Sequence, residues 1–165
     1  MSTNTNSGSV AFDRPTGNQA AAHTNLETAR ERRIDLRTAM ERLENQVARP
    51  SATGSWRADV EAALFELGAA LDSHTNEVED DSGLLQTIVA AAPRLAGQVA
   101  EMKVQHDELR SAFDRALATC STHGELEPTV VRRRVTSLLG RLAVHRQLGS
   151  ELVFNAYNVD IGDGD

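Results

Sequence analysis

A single cysteine, Cys120, leaves the chain without an internal disulfide, and such sparse use points to a reducing compartment. Aromatic residues make up only 4% of the 165 positions. A sheet protein would draw more heavily on Tyr, Phe and β-branched residues, so the composition favours helices. No apolar run approaches the roughly 18 residues of a membrane helix. The start of the chain shows no basic segment followed by an apolar core, so no secretory signal is expected either. The expectation is a soluble, cytoplasmic protein. Positive charge is scarce, with 17 Lys and Arg against 24 Asp and Glu and a formal net charge of −7. That balance disfavours nucleic acid as a partner, because phosphate contacts need clustered cations. The one basic run, Arg132, Arg133 and Arg134, reads as a solvated helix face. Signatures of catalysis are missing too. There is no His-Glu-x-x-His run, no glycine-rich phosphate loop and no Ser-His-Asp or Cys-His arrangement on defined elements. Cys120 stands near His123, but at a helix C-terminus, where the dipole disfavours a thiolate. An enzyme is therefore the weaker expectation.

What the chain does have is helical periodicity. The fold expected is all-α, an antiparallel up-down four-helix bundle over residues 18–157. It is flanked by a disordered tail at 1–17 and an acidic tail at 158–165. The first tail is Ser, Thr, Asn and Gly with almost nothing apolar besides Val10, Ala11 and Phe12, too little to repay ordering. The first predicted helix runs from about Asn18 to Ala48, with a stripe of His23, Leu26, Ala29, Leu36, Met40, Leu43 and Val47. Thr24 and Glu27 have capping-box spacing, which leaves open a start at Thr24 with His23 just outside. Arg33 interrupts the stripe and should snorkel or pair with an acid. Pro50 to Ser55 form a loop, and Ser55 suits the N-cap of a second helix reaching about Glu79. Leu84 to Ala92 is a short apolar helical segment. Pro93 then either opens a third helix reaching about Ala118 or kinks a longer one. A second loop spans Cys120 to Glu127, and Pro128 suits the first turn of a fourth helix. The closing DIGDGD has three closely spaced acids but lacks the remainder of a calcium loop, so it reads as an acidic tail.

Four histidines lie on the apolar stripes, one per long helix: His23, His74, His106 and His145. Only His123 falls in a loop. In an up-down arrangement His106 lies 19 residues before the centre of the second loop, near 125, and His145 lies 20 after it. At about 1.5 Å per residue the two share one level. His23 lies 29 residues before the centre of the first loop, near 52, and His74 lies 22 after it. That pair carries an offset of seven residues, or roughly 10 Å, for the loop and helix packing to absorb. The segment 84–92 must act as an insert or lid if His74 and His106 are to meet. Imidazole is a good ligand for iron, zinc and copper, and helical bundles build metal sites from inward side chains of facing helices. Taken singly, each histidine reads more simply as a satisfied core residue.

The LDSHTNEVE segment around His74, the EMKVQHDELRSAFD segment around His106, and the order His23, His74, His106, His145 resemble the hemerythrin-like, HHE cation-binding family, over roughly residues 18–157. The resemblance implies a four-helix bundle that holds a non-haem di-iron pair through histidines and bridging carboxylates. The chain departs from that pattern in three places. Val78 stands where the family has an acid after the second-helix histidine, with only Glu77 placed to turn toward the same face. Arg110 stands where the family has a second third-helix histidine, and would add positive charge near the site. Gly149 and Ser150 stand where the fourth helix should carry an acid. Two cations held close need bridging oxygens, so the expectation falls to a mononuclear site from three or four of His23, His74, His106 and His145, with or without Glu77, or to no metal at all.

Two functions follow as expectations. One is a hemerythrin-like helical module with a degenerate site, acting through a protein partner or self-association rather than catalysis. The apolar stretch after Glu151, ELVFNAYNVDIG, is a candidate for such docking. The other is a protein that binds iron or another transition metal through the histidines, sensing or storing the metal or a small oxidant. Convergence of the imidazoles on one point separates the two.

Overall fold

The computed structural model describes residues 17–52, 54–121 and 127–157. The two tails (residues 1–16 and 158–165), the loop around His123 and the DIGDGD stretch lie outside the described residues. What is described is all-helical, and no strand occurs among the described residues. Four long helices, α1 (Gly17–Ala48), α2 (Trp56–Glu79), α4 (Ala96–Ser121) and α5 (Pro128–Tyr157), are joined by a short α3 (Leu84–Ala91) and a 3-10 turn at Pro93–Leu95.

Each long helix buries one stripe. In α2 the buried set includes Val60, Leu64, Leu67, Leu71, His74 and Val78, and in α4 it includes Val99, Met102, His106, Leu109 and Phe113. In α5 it is Val131, Val135, Leu138, Leu142, His145 and Leu152. Steps of three and four place such residues on one helix face. α1 packs chiefly on α2, and α4 chiefly on α5, with α2 against α4 closing the middle. Contacts set the levels. Arg42 pairs with Glu66 at 2.9 Å, and the Trp56 indole donates to the Gln46 carbonyl at 3.1 Å. At the other end of α1, Asn25 donates to the Ser82 carbonyl at 2.5 Å and to Thr87 Oγ1 at 3.1 Å.

The interior divides into two apolar clusters. One holds Leu36, Leu43, Leu64, Leu71, Leu109 and Leu142 among others. The other holds Ala29, Val78, Leu84, Leu85, Ile88, Met102 and Leu152. His74, His106 and His145 each fall in sequence between a member of the first and a member of the second. The histidines therefore form a polar layer between two oily ones.

The short α3 covers the second cluster, as the lid expected from the sequence. It is reached through a tight turn. Asp80 Oδ1 accepts from the Ser82 amide at 2.9 Å, and the Gly83 amide donates to the Asp80 carbonyl at 2.7 Å. A Cβ at Gly83 would stand 2.6 Å from the Glu77 carbonyl oxygen, so the chain passes too close to the end of α2 for any side chain. Pro93 does not kink a continuous helix. α3 ends at Ala91, and Pro93 opens the 3-10 turn that feeds α4.

Three local expectations change. Ser55 holds the N-cap position of α2, but its hydroxyl donates to Asp59 Oδ2 at 3.1 Å and accepts from no helix amide. α4 continues through Cys120 to Ser121, three residues past the expected end, because the Cys120 side chain is buried in the core. Arg132 is not simply a solvated charge. It donates to the carbonyls of Val47 and, at 2.6 Å, Arg49, so it caps the end of α1. Its guanidinium lies 4.7 Å from the Trp56 ring centre. Arg133 and Arg134 are exposed, as expected of a solvated face.

Candidate metal centre

Three helices each bring one imidazole to the same level. His74 on α2, His106 on α4 and His145 on α5 are only 7%, 4% and 4% exposed. One ring nitrogen from each can be chosen so that all three lie within 4.8 Å of one another. The ring centres are 5.6 Å apart for His74 with His106 and for His74 with His145, and 4.7 Å apart for His106 with His145. The Nε2 atoms of His74 and His145 face each other at 3.4 Å. A tetrahedral ion with metal–nitrogen bonds of about 2.0–2.1 Å spaces its donor atoms by about 3.3–3.4 Å.

The neighbours fix which nitrogens are free. His106 Nδ1 meets the Glu79 carboxylate, and His145 Nδ1 meets Gln105 Oε1 at 3.3 Å. A carboxylate or amide oxygen only accepts, so each Nδ1 carries the proton and each Nε2 keeps its lone pair. Among the described residues, His106 Nε2 and His74 Nδ1 are buried without a hydrogen-bond partner. Orphaned polar atoms of this kind are costly in a protein interior. A cation that accepts the lone pair of His106 Nε2 removes that part of the cost.

Two of the three rings, His74 and His145, are held neutral. Burial pushes the His74 pKa from 6.5 down to about 3, helped by the neighbouring charges of His106, His145 and Arg33. Burial, then His106, pushes His145 from 6.5 down to about 4. At neutral pH both rings are unprotonated bases, the form in which imidazole binds metal.

Beside the rings lies a cavity of about 40 Å³. Its walls include the three histidines, Val78, Ile88 and Met102, together with Arg33 and Arg146. α3 roofs it with Leu84, Leu85 and Ile88.

The other candidate residues go elsewhere. His23 is exposed and stands outside the group. The seven-residue offset between His23 and His74 is not absorbed. Asn25 already lies level with Ser82 and Thr87, beyond the end of α2. Ala29 and Arg33 of α1 face the histidine cavity instead. Ten residues of helix separate His23 from Arg33, an axial distance of about 15 Å. Arg33 pairs with no acid among the described residues, and its Nε donates to the Ala29 carbonyl of its own helix at 3.3 Å. Glu77 lines a separate surface groove with Asn25, Arg32 and Ser73. The acid that reaches the cluster is Glu79, which sits at the last position of α2 and crosses to the histidine of α4. Arg110 does not crowd the site. It is exposed and ion-paired with Asp72.

Glu79, Gln105, Arg33 and Arg146 went unrecognised in the sequence. Glu79 and Gln105 serve histidines of neighbouring helices, so spacing from the histidine of their own helix carries no signal for them. Arg33 did leave a signal, as the one charge interrupting an apolar stripe. Comparison with family models, curated proteins and solved structures found no match. No helix among the described residues is long and apolar enough to cross a membrane.

Proposed function

We propose that this chain is a transition-metal-binding protein that holds one ion through His74, His106 and His145, on an antiparallel four-helix bundle of the hemerythrin-like kind. The observation that carries the reading is the pair of facing Nε2 atoms, 3.4 Å apart, beside the buried, unpartnered Nε2 of His106. Three neutral nitrogen donors suit zinc, iron, cobalt or copper. Glu79 and Gln105 orient two of the rings as outer partners commonly do in metal sites, by taking the proton of the nitrogen that does not bind. No carboxylate lines the cavity, so nothing there would bridge two cations, and the site is mononuclear. The ion would supply a positive centre with a coordination position toward the cavity.

The bundle topology draws support from the α1–α2 contacts. Residues 25, 42 and 46 of α1 meet 82, 66 and 56 in turn, the descending order of two helices running oppositely.

Protein purified without chelator and then loaded with Zn(II) is expected to retain one ion per chain by elemental analysis. His106→Ala and His145→Ala should lose it. His23→Ala should keep it. A wild-type protein that retains no zinc, iron, cobalt or copper after loading overturns the reading.

A further inference from the structure

Charge around the cavity is one-sided. Arg33 and Arg146 both line it with the three histidines, and the remaining wall is apolar. No carboxylate pairs with either arginine among the described residues. Arg33 spends only its Nε on the protein, on the Ala29 carbonyl, which leaves the two terminal nitrogens of its fork with no acceptor among the described residues. A divalent ion on three neutral imidazoles would add further positive charge to the same low-dielectric space. Arg33 and Arg146 are half-buried, and charge of one sign in such a site is costly when nothing offsets it.

We propose that Arg33, assisted by Arg146, clamps a small anion in this cavity as a further ligand of the metal held by His74, His106 and His145. The proposal rests on the metal reading above. A guanidinium fork suits a planar oxyanion, which it can bind through two parallel hydrogen bonds.

The volume sets the size of the ligand. A single water needs about 10–15 Å³ of such space, so the cavity of about 40 Å³ takes about three or four heavy atoms. Formate or nitrite fits that limit, and phosphate exceeds it. The apolar wall of Val78, Ile88 and Met102 offers no polar group to a larger ligand. Arg33 acts here as a binding residue, and no bond is made or broken in the ligand.

The test uses protein loaded with Co(II), whose visible absorption reports its ligands. Sodium formate is titrated into wild type, Arg33→Gln, Arg33→Lys and Arg30→Gln, with Arg30 serving as the exposed neighbour. The expected result is a saturable spectral change in wild type and Arg30→Gln, weakened at least tenfold in Arg33→Gln. Arg33→Lys, which keeps charge but loses the fork, should fall between them, and it decides the matter if Arg33→Gln does not fold. Sodium phosphate should leave the wild-type spectrum unchanged, and a response equal to that of formate overturns the assignment of ligand size. Stoichiometric cobalt with no formate response, or with equal affinity in wild type and the Arg33 variants, overturns the anion clamp and leaves the metal site standing. Failure of wild type to bind cobalt overturns both.

Discussion

Nε2 of His145 lies 3.4 Å from Nε2 of His74, although the two residues are 71 apart in sequence and stand on different helices. Neither ring can donate to the other unless one Nε2 carries a proton. The proton bonded between them and a metal ion compete for the same lone pairs. Metal uptake should therefore depend on the groups that fix the outer nitrogens.

Glu79 is the first of those groups. Its carboxylate accepts from His106 Nδ1, which keeps Nε2 available. Glu79→Gln replaces a charged acceptor with a neutral one of the same shape. Zinc affinity, measured by competition with a chromophoric chelator, should fall about 10–100-fold. Glu77→Gln, in the separate groove, should change it little. Equal effects from the two variants would remove Glu79 from the site.

Stability of the metal-free protein should follow the histidines. His74 and His145 have pKa values lowered from 6.5 to about 3 and about 4 in the folded state. Below pH 6.5 the unfolded chain takes up protons that the folded chain refuses. The stabilisation is thus fully present above about pH 6.5 and is lost as pH falls toward 4 and then 3. Each histidine contributes a slope of at most about 1.4 kcal/mol per pH unit. Urea midpoints at pH 7, 6 and 5 should fall steadily in metal-free protein. A flat midpoint across that range would mean that the rings are not buried as neutral bases.

At Gly68 the ring of Phe113 on α4 packs directly on α2. A Cβ there would stand 2.5 Å from Cζ of Phe113, inside any tolerable contact. Gly68→Ala should cost about 1–3 kcal/mol through overpacking, offset in part by the better helix propensity of alanine. Gly97→Ala is the control, since a Cβ there meets nothing within 4 Å; it should be neutral or slightly stabilising. Chemical denaturation of both variants checks the contrast.

Much of this fold could be read directly from the chain. The periodic stripes of α2, α4 and α5, the break after Glu79, the short apolar segment at Leu84 and the role of Pro128 as a helix start all appear where the sequence pattern puts them. His106 and His145 come together as their equal distances from the second loop required. Such features depend on rotation about a helix axis and on local turn chemistry, both set by neighbouring residues in the sequence.

Position along the helix axes is another matter. Ten residues put His23 and Arg33 about 80° apart around α1, and nothing in the chain tied either of them to the level of His74. The packing of α1 on α2 and α3 put Arg33 against the cavity and left His23 beyond it. In the same way, Glu79 rather than Glu77 serves the cluster, because the partner it reaches belongs to another helix. The sequence alone determined which faces turn inward. Only the tertiary structure decided which residues on those faces stand level with one another, because axial register comes from loop geometry and side-chain interlock between helices far apart in the chain.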